Sequence, residues 1–178
     1  MNKKVVTVFG SARTQEGTAD FKTAYELGKL LAQSGFTVCN GGYGGTMEAS
    51  ARGARDAGGK TIGIVAETLG VKANPFIAQK EVVRTHLDRL LRLVELGDAY
   101  IVLNGGTGTL LELAYVWEYI NKHIMPQKPV IVVGDFWSTI IDTVRKELQE
   151  EKGEVSNYVR VVHSPEECVN VLIRRLND

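Results

Sequence analysis

Apolar runs alternate with segments of helical periodicity along the whole chain. VVTVFG (5–10) is a β-branched run, as in a strand covered on both faces. FTVCN (36–40), TIGIVA (61–66), AYIVL (99–103), PVIVVG (129–134) and YVRVV (158–162) also read as strands, with EVVRT (81–85) a weaker one. A helix is predicted over 19–34, with Ala24, Leu27, Leu30 and Leu31 in one stripe and Gly35 as its C-terminal cap. A small-residue helix follows the glycine loop 41–46 and runs to about residue 57. The helix over 86–96 is expected to bury Leu87, Leu90, Leu91 and Val94, and that over 137–150 to align Ile140, Ile141, Val144 and Leu148. Helices over 109–122 and 164–176 complete the set, and residues 67–80, with Pro75, read as irregular. This alternation predicts an α/β, Rossmann-like doubly wound domain over 1–178, its mostly parallel sheet carrying helices on both faces. In such sheets ligands bind beyond the carboxyl ends of the strands, where the strand order reverses.

Composition narrows the function. The chain has 178 residues, 44% apolar and 24% charged, with a formal net charge of zero. That is normal for a globular domain with a substantial core. No Lys/Arg run marks a nucleic-acid footprint, so DNA or RNA is not an expected partner. No stretch approaches the roughly 18 apolar residues of a membrane helix. The basic start MNKK precedes too short an apolar run for a signal peptide. Cys39 and Cys168 have no metal-type spacing and are expected as buried free thiols, which suits a cytoplasmic protein. No metal site and no cofactor are expected.

The glycines carry the chemistry. Three loops at strand carboxyl ends, Gly10-Ser11, GGYGG (41–45) and GGTG (105–108), are expected at one edge of the sheet, lining one crevice. A glycine loop running into a helix offers unblocked backbone N–H groups and partial positive charge, which favours phosphate. In GGTGT the donors are Gly105, Gly106, Thr107, Gly108 and Thr109, with Thr109 expected as the helix cap. Gly42, Gly44 and Thr46 form the second such loop. Neither matches a standard nucleotide motif. No G-K-[ST] is present, and Leu111 and Met47 stand where the dinucleotide fingerprint needs its third glycine. Each loop is instead followed by a carboxylate about one turn into its helix, Glu112 and Glu48. The helix dipole alone explains either one. Beside a bound phosphate, such a carboxylate suits a different part of the ligand, one that develops positive charge.

GGTGTLLE (105–112), preceded by a strand, resembles the PGGxGTxxE motif of the Lonely Guy family, the cytokinin-activating nucleoside 5′-monophosphate phosphoribohydrolases once mislabelled lysine decarboxylases. The similarity extends to the glycine and serine after the first strand and to GGYGGTMEASARGA after the second. It implies a homodimer or an assembly of dimers, an AMP-like nucleoside monophosphate as ligand, and catalytic roles for Glu112 and for Arg89, which matches the Arg of the family's R-K pair. The motif Pro is Asn104 here, the Lys of the pair is Leu90, and His86 stands where the family has Met, so this is a divergent member. The expected reaction is cleavage of a purine nucleoside 5′-monophosphate to free base and ribose 5-phosphate. Its rival is a non-catalytic nucleotide-binding module on the same crevice.

Arg92, one turn after Arg89, is placed to reach the same ligand or to lie on the surface. His86 reads as a structural residue at a helix start. Tyr115 and Tyr119 share the helical face of Glu112, and Trp117 belongs to the core or an interface. Lys60, Lys80 and Lys128 lack any context for a Schiff base, which argues against a decarboxylase.

Overall fold

The computed structural model describes residues 3–152 and 158–177. The strands are β1 (Val5–Phe9), β2 (Thr37–Asn40), β3 (Thr61–Ala66), β4 (Gln79–Val83), β5 (Ala99–Val102), β6 (Val130–Val133) and β7 (Val159–Val162). The helices are α1 (Ala19–Gln33), α2 (Thr46–Asp56), α3 (His86–Leu96), α4 (Thr107–Asn121), α5 (Ser138–Lys152) and α6 (Pro165–Asn177). The sheet order is β4-β3-β2-β1-β5-β6-β7, and every pairing is parallel. The expected mostly parallel sheet is therefore parallel throughout its described strands.

Two large cores cover the sheet, with a small third cluster of Tyr43, Met47 and Val65, and strand pleating sorts residues between the two large ones. Val6 and Val8 of β1, with Ile101 of β5, join the core beneath α1, α2 and α6. Phe9, Tyr100 and Val102 face the core beneath α3, α4 and α5. The polar residue within β1, Thr7, is fully buried and donates from Oγ1 to the Leu93 carbonyl at 3.0 Å. Cys39 and Cys168 are buried free thiols.

One helix, α3, differs in phase from the sequence reading. A capping box starts α3: Thr85 Oγ1 accepts from the Asp88 amide, and Asp88 accepts from the Thr85 amide. The face turned inward from there carries Arg89, Leu90, Leu93 and Val94, while Leu87 is 61% and Leu91 42% exposed. Leucines lie around most of this helix, so spacing alone assigned two of them to the wrong side. Of the four residues aligned on α5, Ile141 is in the core. Ile140, Val144 and Leu148 line an open groove against α4, and Leu148 also packs against that core. The irregular stretch after β3 contains one 3-10 turn, Glu67–Leu69. Among the described residues no helix is long and apolar enough to cross a membrane.

Candidate active site

The strand order reverses between β1 and β5, and the loops leaving these two strands are bonded in series to the start of α2. The Ser11 amide donates to the Asn104 carbonyl at 3.1 Å, and the Thr46 amide donates to the Ser11 carbonyl at 2.9 Å. Beside them opens a cleft of about 380 Å³, lined by Gly10, Ser11, Ala12, Arg13, Tyr43, Met47, Leu69, His86, Arg89, Gly106, Thr107, Gly108, Thr109 and Glu112. This is a volume suited to a small ligand.

One wall is the start of α4. The helix begins at Thr107 with Gly106 as its N-cap, two residues earlier than the sequence suggests, and its first turn holds no acid. Leu110 is the first residue to donate back within it, to the Gly106 carbonyl. The amides of the first turn therefore lack helical acceptors and are available to an anion. Thr109 is not the cap. It is buried within the first turn, and its Oγ1 would lie 2.1 Å from a Cβ placed on Gly105. Gly105 thus makes room for Thr109 rather than lining the cleft.

Glu112 lies in the second turn of α4, beyond the stretch where the helix dipole acts strongly. Its side chain is only 12% exposed, and Arg89 Nη1 is 3.7 Å from Oε1, an ion pair too long for a hydrogen bond. Burial pushes the Glu112 carboxyl up to about 7, with the Arg89 charge opposing the rise. Arg89 is 6% exposed at its side chain. Its Nε donates to the Ile64 carbonyl at 3.0 Å, Nη2 meets Met47 Sδ at 3.6 Å, and the guanidinium stands 5.2 Å from the centre of the Tyr43 ring. Tyr43 is fixed in turn: its hydroxyl accepts from the Ala66 amide at 2.9 Å. The result is a buried cation and a weakly solvated carboxylate side by side, one turn of helix from a phosphate-type amide cluster.

The second glycine loop plays a different part. Asn40 Oδ1 accepts from the Gly42 amide, while Asn74 Nδ2 donates to the carbonyls of Gly42 and Tyr43. Gly42 (φ 75°) and Gly45 (φ 68°) adopt backbone conformations suited to glycine. This scaffold carries Tyr43 and Met47 into the cleft, but Gly42, Gly44 and Glu48 do not line it. Thr46 borders a smaller pocket with Asn104 and Asp135. Arg92 turns away to Glu81 and Glu95, at 2.6 and 2.7 Å. Tyr43 and Ala12 belong to loops expected at the crevice, Met47, Leu69 and Arg13 were not expected in the site, and His86, expected as structural, stands in its lining. Arg13 follows the Gly10-Ser11 loop and Met47 follows the second glycine loop, which was the sequence signal available for them. Among the described residues no cluster of three or more His, Cys, Asp or Glu side chains is arranged to hold a metal.

This arrangement can be set against known proteins. The model of the SLOG cluster4 family matches residues 3–169. The chain belongs to that family. Its relatives make it a member of the wider Lonely Guy group. A cytokinin riboside 5′-monophosphate phosphoribohydrolase of Rhodococcoides fascians is 33% identical over 138 residues, which cover 74% of this chain and 68% of that one. An uncharacterised protein of Archaeoglobus fulgidus is 29% identical over 168 residues, covering 94% and 93%. Among solved structures, the molybdenum cofactor binding protein of Rippkaea orientalis aligns with a TM-score of 0.77 at 29% identity, covering 100% of this chain and 99% of that chain.

The departures from the family motif have structural accounts. Asn104, at the motif Pro position, donates from Nδ2 to Asp20 Oδ1 at 2.9 Å, while its carbonyl holds Ser11. It therefore ties the phosphate-type loop to the start of α1 with a side chain that Pro lacks. Leu90, at the Lys position, is 3% exposed in the core under α3.

Proposed function

We propose that this protein is a hydrolase that cleaves the N-glycosidic bond of a purine nucleoside 5′-monophosphate, giving the free base and ribose 5-phosphate. The observation that carries this reading is the position and electrostatics of Glu112. A carboxyl group pushed up to about 7 by burial, in a cleft beside an amide cluster, destabilises the fold when ionised and is better explained by chemistry than by architecture. In this reading the 5′-phosphate sits on the amides of Gly106–Thr109, which point the ribose along α4 toward Glu112. As the bond between the anomeric carbon and the base nitrogen breaks, positive charge grows on the sugar, and the Glu112 carboxylate stabilises it. Glu112 also accepts a proton from the attacking water, whose oxygen forms the new bond to the anomeric carbon. The departing base takes up a proton from solvent as it leaves, and Glu112 returns to solvent the proton it took from the water, so one water is consumed and the carboxylate is regenerated. Arg89 favours the ionised form of Glu112 against the burial that raises its carboxyl. The phosphoribohydrolase names of several relatives support the same reaction class.

A second reading is a binding protein without turnover. Its support is the chain-wide similarity to the molybdenum cofactor binding protein, together with the loss of the motif's Pro and Lys. The two readings part on incubation with a panel of purine nucleoside monophosphates. Release of ribose 5-phosphate supports the hydrolase, while saturable binding without release supports the carrier-like alternative. We further propose a homodimer, with the exposed Leu87 and Leu91 of α3 and Leu111 of α4 at its interface.

A further inference from the structure

We infer that Gly41 is a positioning residue of the site: it is glycine so that the Arg89 guanidinium can pass through the space a side chain would fill and reach Glu112. A Cβ built on Gly41 would fall 1.4 Å from Arg89 Nη2, 2.5 Å from Cζ and 2.8 Å from Met47 Sδ. The first two contacts are impossible without displacing the guanidinium. Gly41 is also absent from the positive-φ positions, which include its neighbours Gly42 and Gly45, so its backbone makes no demand for glycine. The requirement comes from Arg89. That side chain cannot readily withdraw. Its Nε is bound to the Ile64 carbonyl, the Tyr43 ring lies against it, and it is buried. A methyl group at residue 41 would displace Nη2 from this cradle, and with it the planar guanidinium whose Nη1 pairs with Glu112.

The consequence is electrostatic. Charged and titratable groups sharing the cleft with Glu112 are Arg89 and His86 from α3, Arg13 from the β1–α1 loop and Tyr43 from the β2–α2 loop. Among the described residues Arg89 is the ion partner of Glu112. Removing it from its place leaves burial unopposed, so the carboxyl holds its proton to higher pH. This inference rests on the hydrolase reading only for its effect on turnover, and its test avoids turnover.

Thermal unfolding of Gly41→Ala is measured in the wild-type and Arg89→Ala backgrounds, giving a double-mutant cycle. In the wild-type background the substitution is expected to lower Tm by about 4 °C or more. In the Arg89→Ala background the cost falls to less than half of that. A cost of half or more in the second background overturns the proposal, because the clash would then lie with a group other than Arg89, such as Met47 Sδ. Should Gly41→Ala alone fail to fold, a folded Gly41→Ala/Arg89→Ala protein supports the inference and an unfolded one overturns it. In the folded variant, carbon-13 NMR of labelled glutamate, assigned through Glu112→Gln, is expected to show the Glu112 titration about one pH unit higher than in the wild type. A rise smaller than about half a unit overturns the positioning role.

Discussion

Glu112 answers a question that its sequence position poses. A carboxylate after a glycine loop reads first as a complement to the helix dipole, and that explanation weakens once the helix is seen to begin at Thr107. What remains is a buried acid whose best-placed neighbour is a cation at 3.7 Å. Its proton affinity links it to stability. A carboxyl raised to about 7 in the folded state, against about 4.3 unfolded, binds more protons when folded. Its contribution is fully present below about pH 4.3 and is lost as pH rises through about 7. Wild-type stability is therefore expected to fall relative to Glu112→Gln across that window, by an amount on the order of 3 kcal/mol. The difference should stay level on either side. Removing the counter-ion of Arg89 offsets the two curves without changing this slope. Urea unfolding of both proteins at pH 4, 5.5, 7 and 8 checks it; parallel curves across the window would mean that Glu112 titrates normally.

At the scale of elements, the proposed 5′-phosphate site is the start of α4. If amides of Gly106–Thr109 hold a 5′-phosphate, adenosine lacks several charge-assisted hydrogen bonds that AMP makes, each contributing about 1.5–3 kcal/mol. AMP is then expected to bind at least 100-fold more tightly than adenosine, as read by calorimetry. Equal affinities would remove the loop from the site. The elements also mark how far the sequence could be read. β1, β5 and β6 were legible because a strand covered on both faces leaves an unbroken apolar run. The glycine loops were legible as a cluster because each follows a strand and all strands run one way. The start of α4 was misjudged because Thr107 and Gly108 look like loop residues, yet they form its first turn. The buried face of α3 was misjudged because its leucines surround the helix and its inward position 89 holds an arginine. The role of Gly41 had no sequence signal, since it depends on the path of a side chain 48 positions away in the chain.

For the whole molecule, the exposed apolar residues suggest where a second copy would sit. Leu87 and Leu91 are one turn apart on α3, and Leu111 lies on the neighbouring α4, close to the residues that build the cleft. With the proposed dimer, Leu87→Glu/Leu91→Glu should produce a monomer at concentrations where the wild type is dimeric, without loss of helical content. Light scattering coupled to size exclusion reads this. A wild type that is strictly monomeric, or a variant that remains dimeric, would move the interface elsewhere or remove it.

The central claim concerns Glu112 as the group that meets the sugar, and it is tested most directly by measuring release of ribose 5-phosphate from AMP by the wild type and by Glu112→Gln. The wild type is expected to turn over. Glu112→Gln is expected to stay folded, to bind AMP, and to lose base release by roughly 100-fold or more, the size of a general acid–base contribution. Hydrolysis by purified Glu112→Gln at the wild-type rate would contradict the mechanism.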